Sequence, residues 1–216
     1  MSEIDHPIHQ QFSDEELKAI VDEAGRAERV VAAHCHGKPG IMAALHAGAK
    51  TIEHGTWLDE EAAHLMVRSG AILVPTRFVI DQLLGMEATV PPYAYRKLAA
   101  LADQHALAMR TAVAEGVKIA MGTDIFLSGS AYGRNSIEVR NLVDAGLTPI
   151  QAVEAATANG PATLGPQAPM SGRLVEGYDA DVIAMDGNPL EDLTMWGEPG
   201  RVTHVWKSGV AVKTPT

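Results

Sequence analysis

Apolar and polar residues along this chain follow two rhythms, one of period three to four and one of short unbroken apolar runs, and the two take turns. Ser13-Asp14-Glu15-Glu16 has the form of a capping box, in which the Ser13 hydroxyl accepts from the Glu16 amide while the Glu16 side chain reaches back. Leu17, Ile20, Val21 and Ala24 then fall three and four apart, which predicts a helix with one apolar stripe, fading near Gly25 to Glu28. Val30 to His36 is a β-branched apolar run that ends in polar residues before Gly37, the pattern of a buried parallel strand. The unit repeats. Helix Gly40 to Ala49 leads to strand Thr51 to Gly55, helix Asp59 to Ser69 to strand Ala71 to Thr76, and the long segment Pro91 to Glu115 to strand Val117 to Thr123. Helices Ser136 to Asp144 and Pro149 to Ala158 follow. Strands alternating with helices at this spacing predict βαβ units and a parallel α/β sheet.

From about residue 170 the texture changes. Gly172 to Asp186 reads as strand, turn and strand, and Val202 to Trp206 with Val210 to Val212 as a hairpin turned by Lys207-Ser208-Gly209. The predicted organisation is therefore an α/β unit over 1–169 and a small β segment over 170–216.

Composition narrows the function classes. With 216 residues, 46% of them hydrophobic and 20% charged, the chain can bury a core, and disorder is excluded. A formal net charge of -10 repels a phosphate backbone, so nucleic acid is not an expected partner. No apolar run reaches the roughly 20 residues that span a bilayer, and the N-terminus lacks the basic-then-apolar layout of a signal peptide. The single cysteine, Cys35, forms no intrachain disulfide, which fits a reducing, cytoplasmic compartment.

Candidate chemistry lies at the C-terminal ends of the predicted strands, the edge where parallel α/β folds place their active sites. His34 and His36 end one strand, His54 the next, and Asp124 follows a third. Taken singly, a strand histidine is commonly a satisfied core residue and Gly-Thr-Asp a turn. At equivalent places in successive repeats, and with neighbouring strands about 4.8 Å apart, they converge. Imidazole nitrogens and a carboxylate suit zinc or another divalent first-row metal. His36 lies two residues from His34 on the same strand face, and only one of them need bind metal. Asp124 is the candidate to take a proton from an attacking water and pass it to the leaving group. Arg77, after the predicted strand Ala71 to Thr76, is a candidate fork for a substrate carboxylate, and Tyr132 and Arg134, beyond Asp124, are candidate substrate contacts.

Three stretches carry a resemblance. Val31-Ala32-Ala33-His34-Cys35-His36-Gly37, then Ala47 to Thr56 around Glu53-His54-Gly55, then Gly116 to Asp124 closely resemble the amidohydrolase superfamily, in particular the group of imidazolonepropionase and the Xaa-Pro dipeptidases. Leu142 to Pro149, Ala155 to Asn159, Gly177 to Val182 and Asp186 to Leu190 resemble the same group's last barrel helices and C-terminal β segment. The resemblance implies the C-terminal half of a (β/α)8 barrel, strands five to eight, in which His34, His54 and Asp124 match metal ligands. His34 is preferred to His36 because its spacing to His54 matches the family's, which leaves His36 as a substrate contact. The complete family site is binuclear, with an His-x-His pair and a carboxylated lysine from the first half. Neither is present here, and Met1 to His6 resembles the stretch just after the lysine strand. Half a barrel exposes strand edges, so a second copy or a complementary half-barrel chain is an expected partner. The implied activity is metal-dependent hydrolysis of amide or ester-like bonds in a small-molecule or dipeptide substrate, with Xaa-Pro dipeptides foremost. Lactones, cyclic amides or phosphoesters are the alternatives within enzymes, and a non-catalytic half-barrel that binds or assembles is the alternative outside them.

Overall fold

The computed structural model describes residues 6–125 and 131–215; Met1 to Asp5, on which part of the resemblance falls, lie outside them. Four strands, β1 (Ala32–Cys35), β2 (Thr51–His54), β3 (Ile72–Val74) and β4 (Lys118–Ile119), pair in parallel and in chain order. Parallel neighbours need a long crossover. Here α2 (Lys38–Ala47), α3 (Glu60–Ser69), α4 (Arg77–Leu84) and α5 (Pro92–Ala114) supply it, with α1 (Asp14–Arg26) before the sheet and α6 (Ile137–Asp144) and α7 (Pro149–Ala156) after it.

The helix starts obey local chemistry. Both bonds of the Ser13–Glu16 capping box form, Asp59 accepts from the Ala62 amide, and Thr148 and Gln151 make a second box on α7. Gly48 and Gly70 end α2 and α3 in the left-handed conformation that glycine adopts without strain. The helix α4 was not among the predicted elements, because its first amides are capped by Glu138, about sixty residues further along the chain.

Register sorts the side chains onto two faces. Ala33, Ile52, Leu73 and Ile119 are paired across the sheet and pack under the helices with Ile41, Met66, Met109, Leu142 and others in the main core. The opposite face carries Ala32, Thr51, Ile72 and Lys118 in one row and His34, Glu53 and Val74 in the next. On that face Ile72, Val74 and Ala120 pack with Ala162, from the 3-10 segment Pro161–Gln167. The sheet is open, with β1 and β4 as its edges.

The strands are shorter than their apolar runs. The run from Val117 to Thr123 pairs only over β4, because the Met121 amide donates to the Ala155 carbonyl and leads the chain out of the ladder. Gly122 then passes so close to β3 that a Cβ there would lie 2.3 Å from Val74 Cγ1. The stiff, buried valine cannot turn away, so Gly122→Ala should lower unfolding free energy by about 1–3 kcal/mol, read as a fall in urea midpoint at unchanged slope.

The second sheet is antiparallel, β5 (Val182–Met185), β6 (Val202–Lys207) and β7 (Val210–Lys213) in that order. Ser208 and Gly209 turn its hairpin with positive φ, as a two-residue turn between right-twisted strands requires. Of the predicted strand, turn and strand over Gly172 to Asp186, only β5 forms. Leu174 and Val175 are exposed and find no pairing partner among the described residues. Between β5 and β6, Met195 and Trp196 are buried, Trp196 within the main core, and the Gly197 amide donates to Ser136 Oγ at 3.0 Å. No helix among the described residues is long and apolar enough to cross a membrane.

Candidate metal centre

The histidines of β1 and β2 do not share a row. His34 pairs with Glu53, whereas His54 pairs with Cys35, so strict alternation would send the His54 ring toward the helices. His54 instead has φ 70°, and Gly55 beyond it φ 62°. That left-handed step turns the ring across the sheet end, where its Nε2 lies 2.9 Å from His34 Nδ1. His36, just past β1, stacks on His54 with ring centroids 4.8 Å apart and planes 14° from parallel. One nitrogen from each of His34, His36 and His54 falls within 4.8 Å of the other two.

The remaining nitrogens of two of these rings are held by threonines. His54 Nδ1 meets Thr76 Oγ1 at 2.7 Å, and His36 Nδ1 meets Thr56 Oγ1 at 2.8 Å. Both threonines are buried. A hydroxyl on Nδ1 leaves Nε2 for a cation, the outer-shell arrangement typical of metal-binding histidines. Burial, reinforced by the neighbouring imidazoles, holds His54 down at about 3 and His36 at about 4. Both rings are therefore neutral at neutral pH and offer lone pairs. Nitrogens about 2.1 Å from a tetrahedral zinc stand about 3.4 Å apart, within reach of small rotations from the arrangement seen. The donor set fits a divalent first-row metal.

The other predicted site residues fare differently. Asp124 follows β4 in a left-handed conformation, φ 48°, exposed and outside the three-histidine group. It is near enough to Glu53 that its charge adds to burial in raising the Glu53 carboxyl. Arg77, expected as a fork for a substrate carboxylate, has its side chain engaged by neighbouring groups. Nε donates to Asp81 Oδ1 at 2.8 Å and a terminal nitrogen to the Ala102 carbonyl at 2.6 Å, so it ties α4 to α5. It lines a cavity of about 180 Å³ with Asp81, Met109 and Asn141, among the helices. Arg77→Ala should thus lower stability by about 1–2 kcal/mol in thermal unfolding while leaving KM within twofold. A tenfold rise in KM would return it to the site. Tyr132 and Arg134 are exposed, and no hydrogen bond among the described residues joins either side chain to the histidines.

Three further residues matter and went unnoticed in the sequence: Thr56, His105 and Glu138. His105 lies on the buried stripe of α5 between Leu101 and Met109, and Glu138 precedes Val139 and Leu142 on that of α6. A polar residue on an apolar stripe was the available signal. A cavity of about 510 Å³ also opens beside the site, walled by His34, His36, Val31, Phe12 and Ile20.

The profile of the amidohydrolase family matches residues 1–212. The chain belongs to the amidohydrolase family. Within it, the chain is 48% identical over its whole length to ochratoxinase from Aspergillus niger, and covers 44% of that protein. The crystal structure of the A. niger ochratoxinase superposes with a TM-score of 0.87, over 97% of this chain and 47% of that one. A Xaa-Pro dipeptidase with bound methionine in its active site is 33% identical, TM-score 0.83, over 94% of this chain and 49% of the other. A prolidase complexed with N-methylphosphonate-L-proline is 35% identical, TM-score 0.88, over 97% and 51%. This amidohydrolase-family chain thus spans about half the length of the relatives it matches.

Proposed function

We propose that the chain contributes strands five to eight of a (β/α)8 barrel, β1 to β4 here, and the histidine side of a metal centre that hydrolyses amide bonds. One observation carries the reading: three imidazoles from two neighbouring strand ends, two of them oriented by buried threonines, meet at the C-terminal edge of a parallel sheet. His34 and His54 would hold the cation, with His36 as a third nitrogen or a substrate contact. When bound, a divalent metal such as zinc supplies Lewis acidity, lowering the pKa of water toward about 7 and polarising a carbonyl. Asp124, beyond β4 and near Glu53, would take the proton of the attacking water and deliver it to the leaving amine. Glu53, in the His34 row, adds a second carboxylate, whose pKa burial and the nearby Asp124 charge both raise.

The substrate class follows the relatives: an amide whose amine is an amino acid, as in Xaa-Pro dipeptides, or an ochratoxin-type amide. The test is elemental analysis and light scattering on the purified chain, then hydrolysis of both substrates with and without added zinc. The reading expects bound metal and zinc-dependent hydrolysis in an assembly that completes the barrel. A metal-free chain with no hydrolysis in any assembly would overturn it.

A second reading, a non-catalytic assembly module, is favoured by the edge of β1, which pairs with no further strand among the described residues. That edge borders the 510 Å³ cavity beneath α1, whose stripe residue Ile20 is exposed. A strand from a second copy or a complementary half-barrel chain would pair there. A soluble, metal-free oligomer favours this reading.

A further inference from the structure

We infer that Glu138 and His105 are positioning residues for His54, acting through the backbone of residues 75–78 and the Thr76 hydroxyl. The inference rests on the proposed metal centre only for its metal-affinity readout.

Thr76 is the pivot. It is β-branched yet left-handed, φ 57° and ψ 39°, a conformation such residues keep only where the surroundings impose it. The imposing groups are visible on both sides of it. His105, fully buried on α5, meets the Pro75 carbonyl through Nε2 at 2.7 Å. Glu138, fully buried on α6, accepts from the Arg77 amide at 2.8 Å and the Phe78 amide at 2.6 Å, and Asn141 Nδ2 donates to it at 2.9 Å. The peptides before and after Thr76 are therefore pinned by two helices remote in sequence.

The pinning has a chemical result. A threonine at a helix N-cap ordinarily sits in extended conformation and turns its hydroxyl back to an amide of the first turn. Thr76 occupies the N-cap of α4 and makes no such bond. Glu138 caps the first amides instead, and the freed Thr76 hydroxyl faces His54 Nδ1. With His54 Nε2 on a metal, Nδ1 must carry the proton and donate it to Thr76 Oγ1. Glu138 thus substitutes for Thr76 as helix cap, so that Thr76 can orient a ligand.

The test uses the full chain and the variants Thr76→Val, Thr76→Ser, Glu138→Gln and His105→Gln. Zn2+ affinity is measured by chelator competition well below each variant's Tm, and the His54 ring nitrogens are followed by 15N NMR without metal. Thr76→Val and Glu138→Gln should weaken Zn2+ binding on the order of 10- to 100-fold and shift the His54 nitrogens, with His105→Gln changing both in the same direction. Thr76→Ser, which keeps the hydroxyl, should restore both. Variants that only lose Tm, with affinity and His54 resonances unchanged, would show that Glu138 is a helix cap and nothing more, and would overturn the inference. If the unmodified chain binds no zinc, the metal reading fails, and the NMR arm alone decides the inference: shifted His54 nitrogens uphold it and unshifted ones sink it.

Discussion

Replacing His54 by alanine is expected to weaken Zn2+ binding by at least about a hundredfold, while His64→Ala leaves it within twofold. His54 is the ring that joins the other two, with centroids 4.5 Å from His34 and 4.8 Å from His36. Without it His34 and His36 remain, one on the edge strand and one just past its end, with rings nearly perpendicular and 5.0 Å apart. Two nitrogens fall short of the three protein ligands that hold a catalytic tetrahedral zinc with water as the fourth. His64 lies exposed on α3 with Glu115 as its partner and serves as the control. Chelator competition reads both values, and equal affinities for His54→Ala and the unmodified chain would remove the centre from this part of the fold.

Glu138→Ala should destabilise the chain by about 3 kcal/mol, since two backbone amides at the start of α4 would be left buried without acceptors. Asn141 would lose its acceptor as well. The same group makes stability depend on pH. Burial pushes the Glu138 carboxyl from 4.5 up to about 7, against the three donors that pull it down. The folded chain then binds a proton that the unfolded chain releases between those values. Stability from this group is accordingly full below pH 4.5 and is lost as pH rises toward 7, by about 3 kcal/mol. Urea unfolding of the unmodified chain between pH 4.5 and 8 should show the decline, and Glu138→Gln should flatten it. An unmodified chain equally stable at both ends, matched by Glu138→Gln, would mean that the donors keep the carboxylate ionised throughout.

Most of the architecture was legible because it rests on local rules. The capping boxes at Ser13 and Thr148, the acidic cap Asp59, the glycines after α2 and α3 and the apolar runs placed the repeating helices and strands within a few residues. Errors came where a partner is distant. The strand ends were read too long, since where pairing stops depends on the neighbouring strand: β4 ends where Met121 finds Ala155. Leu174 and Val175 looked like a strand and find no pairing partner among the described residues. The Ala102 carbonyl of α5 that Arg77 reaches lies twenty-five residues on, out of sight of any local pattern.

For the site, the chain's own order of residues determined which chemistry is on offer: histidines at two successive strand ends, spaced by the length of a helix and a strand, and an aspartate after the fourth strand. Which rings meet is another matter. By register alone His54 belongs with Cys35 on the helix face, and only the left-handed turn at its own backbone swings it to His34. A positive φ at a non-glycine residue costs free energy that no nearest-neighbour pattern supplies. The ring is met there by the Thr76 hydroxyl, and the peptides on either side of Thr76 are held by hydrogen bonds from α5 and α6, groups that become neighbours of the strand ends only once the sheet and its helices have assembled.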